Sequence, residues 1–272
     1  MARSETTEIT DPNDVERILD DRRFRVLQAD RSGSRPVERF RAGVSRFVEG
    51  PEHAARRRRL VELLDGVDPN TLAASAALLT RRELDDAAPC SSARIARAAR
   101  RVPVMCLAER LGFSDPSSLP ALVAVVAGSY PTGSPPTDPA VDASSDRTDA
   151  DAAVERLLDA AGTTGDAVLR VQLLVQAFAA TAELIESAMR RSMTEDGAVR
   201  STAELIGFVL REEPPVPFTR RVTPDATILT LHLRSGGDAA RPLAFGAGTR
   251  ACPAPRHALA IAAAVIDELR PC

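Results

Sequence analysis

One cysteine of this chain stands in a setting suited to ligation. The stretch Pro242-Leu243-Ala244-Phe245-Gly246-Ala247-Gly248-Thr249-Arg250-Ala251-Cys252-Pro253-Ala254 leads into an apolar segment. A thiolate is a soft ligand for a metal. Gly246 and Gly248 let the backbone pass close to a flat ligand, or take positive φ, where a Cβ would clash. Phe245 supplies an apolar wall. Arg250 is a fixed cation suited to a carboxylate. Pro253 fits the first turn of a helix, where backbone N–H groups and the helix dipole favour a thiolate over a thiol. After it, Ala258, Leu259, Ala262, Val265, Ile266 and Leu269 recur at helical spacing. A second constellation lies in the first quarter of the chain. His53 and Arg57 are four residues apart, so they share a helix face and reach one anion together. Each has a plainer reading: a buried structural cysteine, and a solvated basic face within the run Arg56–Arg59.

The elements that must position these groups read as helices. Thr10–Leu19 reads as a capped helix start, continuing to Asp20-Asp21-Arg22-Arg23-Phe24. Helical segments follow within Phe47–Leu64 and at Leu72–Leu84, Ala93–Arg101, Val102–Leu111, Leu119–Tyr130, Asp151–Ala161, Val168–Arg191 and Ser201–Arg211, and alternation over Ile228–Leu233 marks a short strand. Residues 131–150 are rich in Pro, Ser, Thr, Asp and Gly and read as a flexible loop. The 272 residues carry a net charge of −3, which argues against nucleic acid or an anionic membrane as partner. All basic charge is arginine. There is no tryptophan and one tyrosine, so base-stacking platforms are excluded and the core falls to Ala, Leu and Val. Cys90, Cys106, Cys252 and Cys272 show neither a C-x-x-C pair nor zinc spacing. With no apolar N-terminal signal and no apolar run read as long enough to span a membrane, the expected location is the cytoplasm.

The order F-G-x-G-x-R-x-C-P-A over Phe245–Ala254 resembles the cysteine-ligand loop of the cytochrome P-450 superfamily. The resemblance extends in chain order. Asp14–Phe24 is similar to the B helix and its following turn, and His53-x-x-x-Arg57 to the C helix. Val168–Arg191 is similar to the central I helix, and Ser201–Arg211 with Glu213–Val222 to the K helix and the phrase after it. It implies a mainly α fold with a small residual β element: a single heme domain over 1–272, trimmed in its roof, where 131–150 replaces much of the F and G helices. It implies heme b, with Cys252 as the axial ligand and the only metal contact. His53, Arg57, Arg250 and Arg220 or Arg221 would hold propionates, with Phe245, Gly246 and Gly248 lining the cofactor. Ala177, Phe178, Ala180 and Thr181 are the pocket candidates on the I-like helix.

The departures from the family bear on function. Ala254 replaces a usual glycine. Ala179 and Ala180 fall where an acid–alcohol pair supplies protons during oxygen activation, and alanine has no such proton. Phe208-x-x-Arg211 replaces E-x-x-R, and the long meander that carries the glutamate's partner is absent, as is most of the β structure before the first helix. Two readings follow. One is a heme-thiolate enzyme of bacterial specialised metabolism, performing oxidative tailoring, or a peroxide-driven or non-oxidative transformation of a small molecule. Ferredoxin or another protein covering the shortened roof is its expected partner. The other is a non-catalytic helper that stabilises a partner enzyme.

Overall fold

The computed structural model describes residues 6–84, 91–129, 143–163, 165–237 and 241–270. Among them the helices are α1 (Pro12–Asp20), α2 (Pro36–Gly43), α3 (Gly50–Asp65), α4 (Pro69–Leu84), α5 (Ser92–Arg110), α6 (Leu119–Gly128), α7 (Ala143–Ala161), α8 (Ala167–Ser192), α9 (Glu195–Ala198), α10 (Thr202–Glu212) and α11 (Pro255–Leu269). The strands are β1 (Thr6–Ile9), β2 (Phe218–Val222) and β3 (Ile228–His232). The mainly helical fold with a small sheet is as the sequence reads.

Local chemistry sets many of the ends. The Asp11 carboxylate accepts from the Asn13 and Asp14 amides at 3.0 Å and caps α1, with Pro12 in the first turn. Ser201 and Glu204 form a reciprocal capping box on α10. The long α8 packs against α5, α6, α10 and α11, and a continuous core forms from Val102, Leu122, Leu157, Leu174, Ile185, Leu205 and Ile266. In the sheet, β3 lies between the others, parallel to β1 and antiparallel to β2. It shares a smaller core with Val15, Ile18, Leu19, Leu243 and Ala247.

Four expectations change. α5 runs unbroken through Pro103, where two helices are predicted. A proline interrupts one backbone hydrogen bond, but its apolar ring is buried among Val102, Val104 and Ala99, and packing outweighs the lost bond. β1 precedes α1, where almost no strand is expected; its four residues are held by pairing with β3, a partner more than two hundred residues away that no local pattern reveals. β2 likewise lies in a stretch read only as a phrase after the K-like helix. The helix predicted from Asp151 begins at Ala143, so residues 143–150 of the expected loop are helical; residues 131–142 lie outside the described ones. In addition, α8 is long and apolar enough by composition to cross a membrane, against the reading that no such run exists, but most of its apolar stretch is buried inside the protein.

Two polar side chains of α8 tie the frame together. Arg170, 8% exposed, donates to the carbonyls of Leu111 and Ala161 and lies over the Phe113 ring at 5.5 Å. Gln172, 2% exposed, accepts the Ser45 amide at 2.9 Å and donates to the Ser45 hydroxyl at 2.7 Å. This clamp fixes the turn Ser45–Phe47 on α8. Gln172→Leu strands both Ser45 groups in the interior. We expect it to lower unfolding free energy by about 2 kcal/mol, measured by urea denaturation.

Candidate cofactor site

Between the helical core and the sheet-side core lies a cavity of about 380 Å³, within the range of small-molecule and cofactor sites. Three sets of residues line it. The α8 face contributes Leu173, Gln176, Ala177, Ala180, Thr181 and Leu184. The cysteine loop and the start of α11 contribute Phe245, Gly246, Cys252, Ala254 and His257. The third set is cationic or titratable: Arg46, His53, Arg57, Arg220, Arg221 and Arg250.

The cysteine loop is held by its own backbone. Two 3-10 turns, Leu243–Phe245 and Gly248–Arg250, are joined where the Cys252 amide donates to the Phe245 carbonyl at 2.7 Å. That bond brings the backbones of Phe245 and Cys252 together, and both residues line the cavity. Both glycines take positive φ, +70° at Gly246 and +64° at Gly248. Their surroundings differ. Gly246 lines the cavity. Gly248 does not: a Cβ there would stand 2.7–2.9 Å from Asp20 and the Leu19 carbonyl, so this glycine seats the loop against the end of α1. The helix begins at Pro255, in place of the predicted Pro253, because the loop bonds consume the preceding amides and Ala254 is non-helical at φ −126°, ψ 39°.

Cys252 therefore precedes the helix by a short loop, and the thiol does not gain all that a helix start would give. Burial pushes it up from its ordinary value. The Ala254 amide, 3.4 Å from Sγ, and the Arg57 charge pull it back. Cys106 differs, as expected of a core thiol: it is fully buried, lies 3.2 Å from the Leu72 carbonyl, and is pushed up to about 12 by burial.

Positive charge dominates the site. Burial depresses Arg57, and proximity to Cys252 partly restores it. Arg221 is 6% exposed and makes no ion pair within 4.0 Å among the described residues; its Nη1 donates to the Arg220 carbonyl at 2.9 Å. Burial, then repulsion from Arg250 and Arg46, lowers it to about 10, with Glu49 opposing. His53 is lowered by burial, then by Arg250 and Arg57, again against Glu49. Arg250, expected to offer its fork to a ligand carboxylate, already pairs with Glu49 at 2.7 Å and donates to the Val48 carbonyl at 2.6 Å. Of the arginine run, Arg58 is exposed, but Arg56 brackets the Ala42 and Val44 carbonyls and Arg59 pairs with Asp166 and Glu62.

Of the residues singled out from sequence, His53, Arg57, Arg220, Arg221, Phe245, Gly246, Arg250, Cys252, Ala177, Ala180 and Thr181 meet at this cavity. Gly248 and Phe178 do not; Phe178 turns to the helical core. Glu49, Gln176 and His257 were missed. His257 donates through Nε2 to the Val67 carbonyl at 2.8 Å, and its buried Nδ1 has no hydrogen-bond partner. Apart from the helical spacing of Gln176 to Ala180, nothing in the sequence signals them.

No protein-family model matches the chain, and no curated protein does. Solved structures match it over nearly its whole length. CalO2 aligns at a TM-score of 0.75 and 16% identity, covering 97% of this chain and 82% of that one. Substrate-free CYP109E1 from Bacillus megaterium gives 0.73 and 15%, covering 96% and 83%. The thermophilic cytochrome P450 from Sulfolobus tokodaii gives 0.70 and 17%, covering 99% and 88%. The chain has a cytochrome P450 fold. In this P450 fold, α8 takes the place read as the I-like helix and α10 that of the K-like helix. Where the K-like glutamate is absent, Phe208 instead receives the Arg191 guanidinium over its ring at 4.4 Å.

Two outcomes test the site's construction. Gly248→Ala forces a Cβ into the end of α1 at positive φ, and we expect a loss of about 2 kcal/mol in urea unfolding. His53 titrates below its unfolded value, so between those two values the unfolded chain binds more protons, and stability falls as pH falls. Wild-type protein should lose more stability than His53→Gln between about pH 7 and pH 5, in paired denaturation curves bracketing the free imidazole value.

Proposed function

We propose that this chain is a heme-thiolate protein that transforms a small molecule, with Cys252 as the iron ligand and heme b as cofactor. The carrying observation is that one cavity is lined by a thiol and by several cations, of which the buried Arg221 and the half-buried Arg57 make no ion pair among the described residues. That donor set fits a heme: a soft axial ligand, an apolar wall at Phe245, a glycine at positive φ beside it, and cations for two propionates. When bound, a thiolate-ligated heme supplies redox chemistry at iron and favours O–O cleavage. The protein supplies the rest. The Arg57 charge opposes the burial that raises the Cys252 thiol, and so would favour the thiolate once iron is there to take it. Arg221, with His53 on α3, would hold the acidic edge of the macrocycle, Arg220 is placed to join them, and Arg250 would do so beside its pair with Glu49.

The α8 face sets the reaction class. Ala180 lines the cavity and Ala179 precedes it, so no acid and alcohol pair exists there to relay protons. Thr181 lines the cavity and is 5% exposed. This favours peroxide-driven oxidation, or a rearrangement, cyclisation or dehydration, over reductase-driven hydroxylation. The setting we propose is oxidative tailoring in bacterial specialised metabolism, in the cytoplasm, with ferredoxin or a roof-covering protein as partner where electrons are required. The helper reading is the weaker one, because a protein that only braces a partner has no use for a thiol and several cations around one cavity.

The test is absorption spectroscopy of protein expressed with ample heme precursor. The expected result is a Soret band that moves to the red on reduction with carbon monoxide, and a Cys252→Ser variant that loses that shift. Protein that takes up no heme overturns the reading and turns the search to a protein partner.

A further inference from the structure

The α8 face over the cavity is apolar except at two positions, and one of them is in an unusual state. Leu173, Ala177, Ala180 and Leu184 line it with hydrocarbon. Gln176 places a carboxamide among them. Its Nε2 is buried and has no hydrogen-bond partner. Gln172, one turn earlier on the same helix, shows what a structural glutamine looks like here: both ends of its amide are bonded to Ser45. Gln176 also lines a small adjoining chamber of about 50 Å³, shared with Arg46, Ala127, Ala179, Ala180 and Val216. It therefore stands where the chamber and the main cavity meet.

A buried amide N–H without an acceptor is destabilising, and this one, placed on a cavity wall, calls for an acceptor from a ligand or an ordered water. The space is sufficient for a carbonyl group and its neighbouring atoms. The surrounding wall would hold a hydrocarbon body while offering no competing donor from α8 other than Thr181. We propose that Gln176 is a specificity-determining residue: its carboxamide donates to a carbonyl oxygen of an otherwise apolar substrate and orients that substrate along α8. The inference rests on the reading of this cavity as a small-molecule site. It deepens that reading by naming the substrate class, a ketone or ester carbonyl on a hydrocarbon frame. It also supplies an orienting group on a helix whose alanines provide none.

The experiment compares 4-phenylcyclohexanone with phenylcyclohexane, a pair that differs in one carbonyl, by isothermal titration calorimetry on heme-loaded wild-type and Gln176→Leu protein. The carbon monoxide spectrum of each preparation is recorded first. The ratio of ketone to hydrocarbon affinity should fall about tenfold in the variant, the worth of one hydrogen bond. The ligand-free variant should melt at the same temperature as wild type or higher, because an unsatisfied amide has been replaced by an apolar side chain. An unchanged affinity ratio overturns the proposal, as does a variant that melts lower, which would make Gln176 a structural residue or one satisfied by an ordered water. Loss of the heme signal in wild type sinks the heme-thiolate reading alone. The ratio is then measured on the heme-free protein, and an unchanged ratio there overturns the carbonyl assignment.

Discussion

Positive charge drawn out of bulk water is the constraint around which this structure is arranged. Arg46, Arg57, Arg220, Arg221 and Arg250 line one cavity, Arg221 buried and the others half-buried; Arg57 and Arg221 make no ion pair among the described residues, and Arg250 pairs with Glu49. The two Glu49 oxygens are both engaged. Oε2 pairs with Arg250, and Oε1 accepts the Val26 amide at 2.7 Å. Taking an ion out of water costs several kcal/mol even after relaxation, and attraction offsets this only when the partners are present. The depressed Arg57, Arg221 and His53 are the signature of that shortfall. A dianionic ligand with an apolar body answers both the charge and the wall. Because such a ligand binds the folded chain and not the unfolded one, mass action makes it part of the protein's stability as well as of its chemistry.

How far the site was legible in the sequence depends on the range of the contacts. The loop Phe245–Cys252 and the pair His53–Arg57 could be read because their geometry is local: a tight turn needs glycine, and residues four apart share a helix face. The cavity brings both together. What failed to show was decided by tertiary neighbours. Gly246 and Gly248 look alike in sequence and share positive φ, yet one faces the cavity and the other faces α1. Whether Pro253 or Pro255 starts the helix turned on the Phe245–Cys252 backbone bond. Arg250 reads as a free fork until Glu49, at the far end of the chain, is folded against it. Gln176 and His257 carry no motif; only their missing partners single them out.

The fold itself was legible for a different reason. A chain with eight phenylalanines, one tyrosine and no tryptophan must build its core from small and branched aliphatic residues, which pack best as close helices. The few rings then serve as contacts for the arginines. Arg170 lies over Phe113, Arg191 over Phe208 and Arg41 over Phe47, at 5.5, 4.4 and 4.9 Å. Each joins a helix to a different segment of chain. In a protein without lysine, the planar guanidinium is the cation available for such stacking, and it is the better one. The Phe208 contact shows how a departure from the family pattern is absorbed. With a glutamate there, a buried carboxylate would need a dedicated arginine. With phenylalanine, the ring packs on the core and Arg191 lies on its face. Arg191 makes no ion pair among the described residues, and its buried Nε has no hydrogen-bond partner, so the ring face is the contact it has.

The same economy explains why α8 suits both framework and site. It is apolar enough by composition to lie in a membrane, yet most of that surface is covered by α5, α6, α10 and α11. A helix fixed on several sides moves little, so the face left over the cavity is held in place to within what core packing allows. Its polar residues divide accordingly. Arg170 and Gln172 lie toward its N-terminal end and are spent on carbonyls and on Ser45, where they lock neighbouring chain segments. One turn beyond Gln172 the wall becomes small, at Ala177 and Ala180, and the space opens. Small residues at that point keep the helix backbone close to whatever occupies the cavity, while removing the acid and alcohol that a proton relay needs. Clearance and proton delivery therefore oppose each other at the same positions, and this chain has resolved the conflict in favour of clearance.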